Sequence, residues 1–251
     1  MLKKEYWDKS LPLLILPRFK CPVCNSGHFV VDENTFHKFE TSGSITLGEV
    51  TGNIEDYECR FSALSICDNP ACKEPMVISG VTNLHPIAFT FEDRLGNEDY
   101  HGPPLKYVSR YTINYLSSPV KLIEVPKNMD SVLKELLDYA FLSFWTEGHT
   151  CANKIRHVLE YLLTEKLQVS KKGTLAEKID KYLEESGKAT MSQHFKALRL
   201  IGNSGSHLTD NKIVRTELMS AFAVLESILE EIFKDPTEID KVSEEIIENR
   251  K

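Results

Sequence analysis

Residues 195–210 read FKALRLIGNSGSHLTD. Phe195, Leu198 and Ile201 recur at helical spacing, and Arg199 lies within that pattern. Gly202, Asn203 and Gly205 follow, and residues that tolerate a left-handed backbone predict that the helix stops there. His207 comes a few residues later, just ahead of another long helical pattern. A fixed cation, an amide and a titratable imidazole therefore meet where one helix ends and the next begins. Such a corner serves as a reactive site or as a tight helix–helix turn, and the sequence supports both readings.

The helical period extends outward from this stretch. Val132, Leu133, Leu136, Leu137, Ala140, Phe141 and Phe144 mark one apolar face. Ile155, Val158, Leu159, Leu162 and Leu163 mark a second. Leu175, Ile179, Tyr182 and Leu183 mark a third, opened by Thr174 with Glu177 three residues on, the spacing of a capping box. The longest runs from Leu218 to Phe233. Short loops predict antiparallel neighbours. The charged segment after Pro236, EIDKVSEEIIENRK, predicts a last short helix.

The first half has a different period. HFVVDEN, GSITLGEV, YECRFSALSIC and PMVISGVTNL read as strands separated by turns. Residues 85–128 are rich in proline and tyrosine and predict an extended connector running over the surface, with Tyr100, Tyr107, Tyr111 and Tyr115 packing rather than stacking on bases. The expected fold class is α+β. A zinc-ribbon-like, β-rich segment with a small antiparallel sheet spans 1–128, and an all-α bundle of four or five helices spans 129–251.

Six cysteines are present, and four fall in two close pairs, Cys21/Cys24 in CPVC and Cys67/Cys72 in CDNPAC. Two pairs at this separation predict two turns whose thiolates close a tetrahedron around a structural Zn²⁺. His28 and His37 lie near the first pair as alternative ligands. Cys59 and Cys151 have no partner at ligand spacing and read as core residues.

Composition narrows the function classes. A chain of 251 residues with 41% hydrophobic and 27% charged residues is ordinary for a globular protein, which argues against disorder. The net charge of −7, with neither half basic, argues against broad duplex DNA binding as the main activity. LPLLIL at 11–16 is too short for a secretory signal, and no run approaches a membrane span, so a cytoplasmic protein without membrane contact is expected.

Metal-independent RNA cleavage needs a base for the ribose 2′-hydroxyl and a cation for the phosphate. Histidine suits the first and arginine the second, which gives His207 and Arg199 their roles, with Asn203 orienting either group. Arg156 and Glu160, four residues apart on the second helix, form a local pair on a solvated face or support the site by facing Arg199.

ALRLIGNSGSH, AFAVLESILEEIF and the upstream IRHVLEYLL together resemble the bacterial family catalogued as domain of unknown function 4145. That family is similar to the HEPN superfamily of helical bundles (higher eukaryote and prokaryote nucleotide-binding). CPVC and the later cysteine pair look like what often precedes this domain. The resemblance implies a HEPN-like bundle, a homodimer formed through it, and an association with phage defence or restriction systems. Many members of the superfamily are RNases whose motif runs arginine, a polar residue, a short spacer and histidine. Here Asn203 and His207 match, whereas Gly202 stands at the arginine position and Arg199 lies three residues earlier. The resemblance thus implies an RNase or RNA-binding effector, or a non-catalytic module that pairs with itself or with a larger defence-system protein.

Overall fold

The computed structural model describes residues 18–52, 56–87, 106–170, 172–187, 189–206, 212–234 and 246–247. The protein is α+β: an antiparallel sheet formed by the first half packs against the helices of the second.

The sheet is built on β3 (Glu58–Cys67), whose residues alternate between faces. Cys59, Phe61, Ala63, Ser65 and Cys67 point inward and are buried. β1 (Phe29–Val31) and β2 (His37–Glu40) pair with opposite ends of one edge of β3. β4 (Pro75–Ile87) pairs with the other edge, and β5 (Lys106–Leu116) completes the sheet beside β4. The register shifts at Ser79/Gly80. A side chain at Gly80 would meet the Thr112 carbonyl oxygen at 2.0 Å, so glycine is what lets the bulged strands close there. Tyr111 packs edge-on against Phe61 at 5.2 Å between centroids and against Phe36 at 5.7 Å, so this tyrosine belongs to the core.

Two sequence expectations for this half are corrected. GSITLGEV is not a strand but the body of α1 (Ser42–Thr51). Local caps decide it: Thr41 Oγ accepts from the Ser44 N–H, and Gly52 closes the helix at φ 61°. Its apolar side chains Ile45, Leu47 and Val50 are exposed, so they do not mark a buried strand face. The 85–128 stretch is likewise not a surface connector throughout. β5 arises from it, and Val120, Leu122 and Ile123 are buried in the core. Tyr100 lies outside the described residues.

The helices follow their predicted faces except at Val132, which lies in the first turn of its helix and is exposed rather than buried. They are α2 (Ser131–Thr146), α3 (Gly148–Tyr161), α4 (Leu175–Ser186), α5 (Ser192–Ser206) and α6 (Arg215–Ile232). A π-helical turn, Leu162–Lys166, prolongs α3. Asp130 caps α2 and Glu147 caps α3 by accepting backbone N–H groups. The Thr174–Glu177 capping box opens α4 as the spacing predicted. Leu133, Leu137, Phe141, Phe144, Ile155, Leu159, Leu198, Phe222 and Leu225 fill the centre. The expected terminal helix lies outside the described residues except for helical residues 246–247. Among the described residues, no helix is long and apolar enough to cross a membrane.

Sheet and helices share one hydrophobic core. Phe19 meets Trp145 edge-on at 5.5 Å. Arg215, at the start of α6, donates to the carbonyl oxygens of Ile113 on β5 (2.6 Å) and Trp145 at the end of α2 (3.0 Å). Its guanidinium also lies over the rings of Phe144 and Trp145.

Candidate functional site

Two constellations stand out, a cluster of four thiols and the seam between α3 and α5. In the first, Cys21 and Cys24 sit on a turn in which the Cys21 N–H donates to the Gly27 carbonyl (2.9 Å) and the Asn25 N–H to the Cys21 carbonyl (3.0 Å). Cys67 ends β3, and Cys72 sits on a second turn closed by bonds from the Cys72 and Lys73 N–H groups to the Asn69 carbonyl. Each turn places the residue after its second cysteine in the left-handed region, Asn25 at φ 53° and Lys73 at φ 54°. The two turns therefore have the same local solution. Gly27 is required between them: an added Cβ would stand 2.5 Å from Cys67 Sγ.

The four sulfurs lie within 4.8 Å of one another. Cys21 Sγ is 3.8 Å from Cys72 Sγ, and Cys24 Sγ is 3.7 Å from Cys67 Sγ. All four are free thiols, and this donor set is compatible with a metal site. The environments of the four thiols are uneven. A Ser26 hydrogen bond and the Gly27 N–H pull the Cys24 thiol down to about 5, while burial pushes Cys67 up to about 12. A bound dication would favour the thiolate form of the whole set. His28 does not join it; that residue is exposed and its backbone N–H donates to Asp68 Oδ1 (2.7 Å). His37 is on β2, stacked beside Phe39. Cys59 and Cys151 are buried, as core residues should be.

The second constellation corrects the reading of GNSGS. Gly202, Asn203 and Gly205 do not stop the helix; α5 continues through them to Ser206. Tertiary packing overrides their weak helix propensity. α5 lies against α3 so closely that a Cβ at Gly202 would meet Arg156 Cβ at 2.7 Å, and one at Gly205 would meet the His149 carbonyl oxygen at 2.6 Å. The glycines face α3, which leaves the polar side chains between them on the seam's rim.

There Arg156 Nη1 donates to Asn203 Oδ1 at 2.6 Å, and Arg156 Nε donates to Glu160 Oε1 at 2.9 Å. Arg156 and Glu160 are thus both a local pair and a support for Asn203, and the structure directs Arg156 to that amide rather than to Arg199. The Arg156 side chain is 26% exposed, so the guanidinium is held in place without being sealed off. Arg199 is half-buried one turn before Asn203 on α5. His207 lies outside the described residues. Sequence reasoning missed His149. Its Nδ1 stands 3.1 Å from the Ser204 carbonyl oxygen near the end of α5, a contact that needs the tertiary fold to be seen.

Two family models match the chain. One, a domain of unknown function (DUF4145), covers residues 138–248. The other, also a domain of unknown function (DUF8608), covers residues 10–103. The first match supports the resemblance of the helical half to domain of unknown function 4145; the second covers the four cysteines and most of the sheet. β5 falls between the two. No curated protein and no solved structure matches the chain.

Proposed function

We propose that the rim of the α3–α5 seam handles RNA, and that it cleaves the phosphodiester without a metal ion. The observation that carries this reading is the Arg156 guanidinium fixed on Asn203. Gly202 leaves the space that Arg156 fills, so α3 delivers an arginine beside the position where the HEPN-like motif would place its own. Arg156, with Arg199 one turn back along α5, would hold the phosphate and stabilise its growing charge. Asn203 would orient the substrate, and Glu160 keeps Arg156 in place. His207, four residues beyond Asn203 in the chain, would take the proton from the ribose 2′-hydroxyl. The 2′-oxygen then bonds to phosphorus as the P–O5′ bond breaks. A 2′,3′-cyclic phosphate and a 5′-hydroxyl result, the departing oxygen taking up a proton.

In the same reading, the four cysteines bind a structural Zn²⁺. A tetrahedral Zn–S bond of about 2.3 Å implies sulfurs ~3.8 Å apart. The Cys21–Cys72 and Cys24–Cys67 separations, 3.8 and 3.7 Å, fit that value. Four protein ligands leave no open position, so the ion would stabilise the fold and take no part in cleavage.

A second reading is supported by a separate observation. Phe39 is 70% exposed and Val50 80% exposed, with Ile45 and Leu47 also open on α1. These exposed apolar side chains offer anchoring points for a protein partner, either another copy or a larger defence-system protein.

The test is incubation of purified protein with tRNA and unstructured RNA in EDTA, beside Arg156→Ala and His207→Ala. We expect cyclic-phosphate ends from the wild type and at least a ~100-fold loss in either variant. RNA left intact by the wild type, or cut equally by all three, would remove the RNase reading in favour of the interaction module.

A further inference from the structure

A cleft of about 660 Å³ opens between the first cysteine turn, the segment 121–127 and α2. Four lysines from these three segments line it: Lys20, Lys121, Lys127 and Lys134. Among the described residues, none of their ammonium groups is ion-paired. Lys121 Nζ instead donates to the Asn25 amide oxygen (2.8 Å), and Lys134 Nζ stands 3.5 Å from the Lys127 carbonyl oxygen. Two carboxylates, Glu124 and Asp138, share the lining; burial pushes the Asp138 carboxyl up, and the nearby Lys121 charge opposes that shift, so Lys121 is partly offset. The cleft is therefore locally basic in a chain of net charge −7.

Gathering like charges in a concavity costs energy that a bound anion relieves, and a concave wall focuses the field on it. The volume falls within the range of small-molecule sites, too confined for a duplex. Lysine is a point-charge phosphate ligand with three donors, so Lys121 can serve both Asn25 and an anion. Val125 and Pro126 supply an apolar wall beside the charges.

We propose that this cleft binds a small, multiply charged phosphate compound, its charged head among the four lysines and its body against Val125 and Pro126. The site is separate from the α3–α5 seam and does not depend on that seam's chemistry. It does touch the metal turn: Asn25, in its left-handed conformation after Cys24, holds Lys121.

The experiment is calorimetric titration of the full chain with pyrophosphate at low and moderate salt, beside Lys127→Gln/Lys134→Gln. These two lysines lie on the exposed rim, so an unchanged melting curve is the check that the variant folds. We expect saturable binding that weakens with salt and falls at least ~10-fold in the double variant. No binding at millimolar pyrophosphate, or equal binding by the folded variant, would overturn the proposal. A nucleoside diphosphate and a sugar bisphosphate run alongside distinguish the source of the head group. Tighter binding of one than of pyrophosphate identifies the body that the wall accepts. Weaker binding of both would overturn the role given to Val125 and Pro126.

Discussion

A methyl group at Gly205 would stand 2.6 Å from the His149 carbonyl oxygen and 2.7 Å from the Asn153 nitrogen. Both atoms are α3 backbone and cannot swing aside. Alanine would gain about 1 kcal/mol of helix propensity over glycine. Forcing an extra carbon into a packed seam costs about 1–3 kcal/mol. Because the opposing atoms are rigid, the cost should win. Gly205→Ala is expected to lose about 1–2 kcal/mol in urea denaturation; a gain in stability would mean that α5 does not lie this close to α3. Gly27 presents the same problem at the other site, where the obstructing atom is Cys67 Sγ.

At the scale of the element, α2 depends on one carboxylate. Asp130 Oδ1 accepts from the Leu133 N–H (2.9 Å) and the Tyr161 hydroxyl (3.1 Å), and Oδ2 pairs with Lys166 Nζ at 2.7 Å. One residue thereby joins the start of α2 to the end of α3 and its π-helical turn. Burial opposes its charge, but Lys166 and the two hydrogen bonds outweigh that and hold the carboxyl at about 2. The unfolded value is about 3.9. The folded pKa is depressed, so the stabilisation is full above ~4 and is lost as pH falls through about 2. Asp130→Asn keeps an oxygen that can cap α2 but gives up the charge that pairs with Lys166, and should cost about 1 kcal/mol at neutral pH, the scale of a lost ion pair. Its deficit relative to wild type should shrink between about pH 4 and pH 2. Denaturation curves across that range check the sign, and a deficit that grows on acidification would refute the assignment.

Over the whole molecule, sheet and helices are joined by Arg215, by Phe19 against Trp145, and by the buried residues Val120, Leu122 and Ile123. One shared core predicts that loss of the proposed zinc should be felt in the helices. Purified protein is expected to hold one zinc per chain by mass spectrometry, and none in Cys21→Ser. Chelation should lower the midpoint of the helical circular-dichroism melt by about 5 °C or more, since a structural zinc contributes directly to folding free energy. An unchanged helical melt after complete metal removal would show that the two halves unfold independently.

The sequence alone specifies the α+β class, the helical faces from Leu133 to Ile232, the Thr174 capping box and the four-thiol set. These features are local: a 3.6-residue apolar period, a three-residue cap spacing and a short cysteine turn are each complete within a few residues. It read β3 and much of β4 by their alternation, but turned α1 into a strand because Ile45 and Val50 suggest burial that the fold does not give them. It also left β5 within the connector, where a strand's partner could not be seen. The roles of Gly202 and Gly205 come from the packing of α5 against α3. In sequence they signal a helix end; against α3 they are the small residues that let two helices close up. The same contact brought Arg156 to Asn203, forty-seven residues along the chain. No spacing rule reaches across that distance, because the pairing is set by how two helices cross and not by either helix alone.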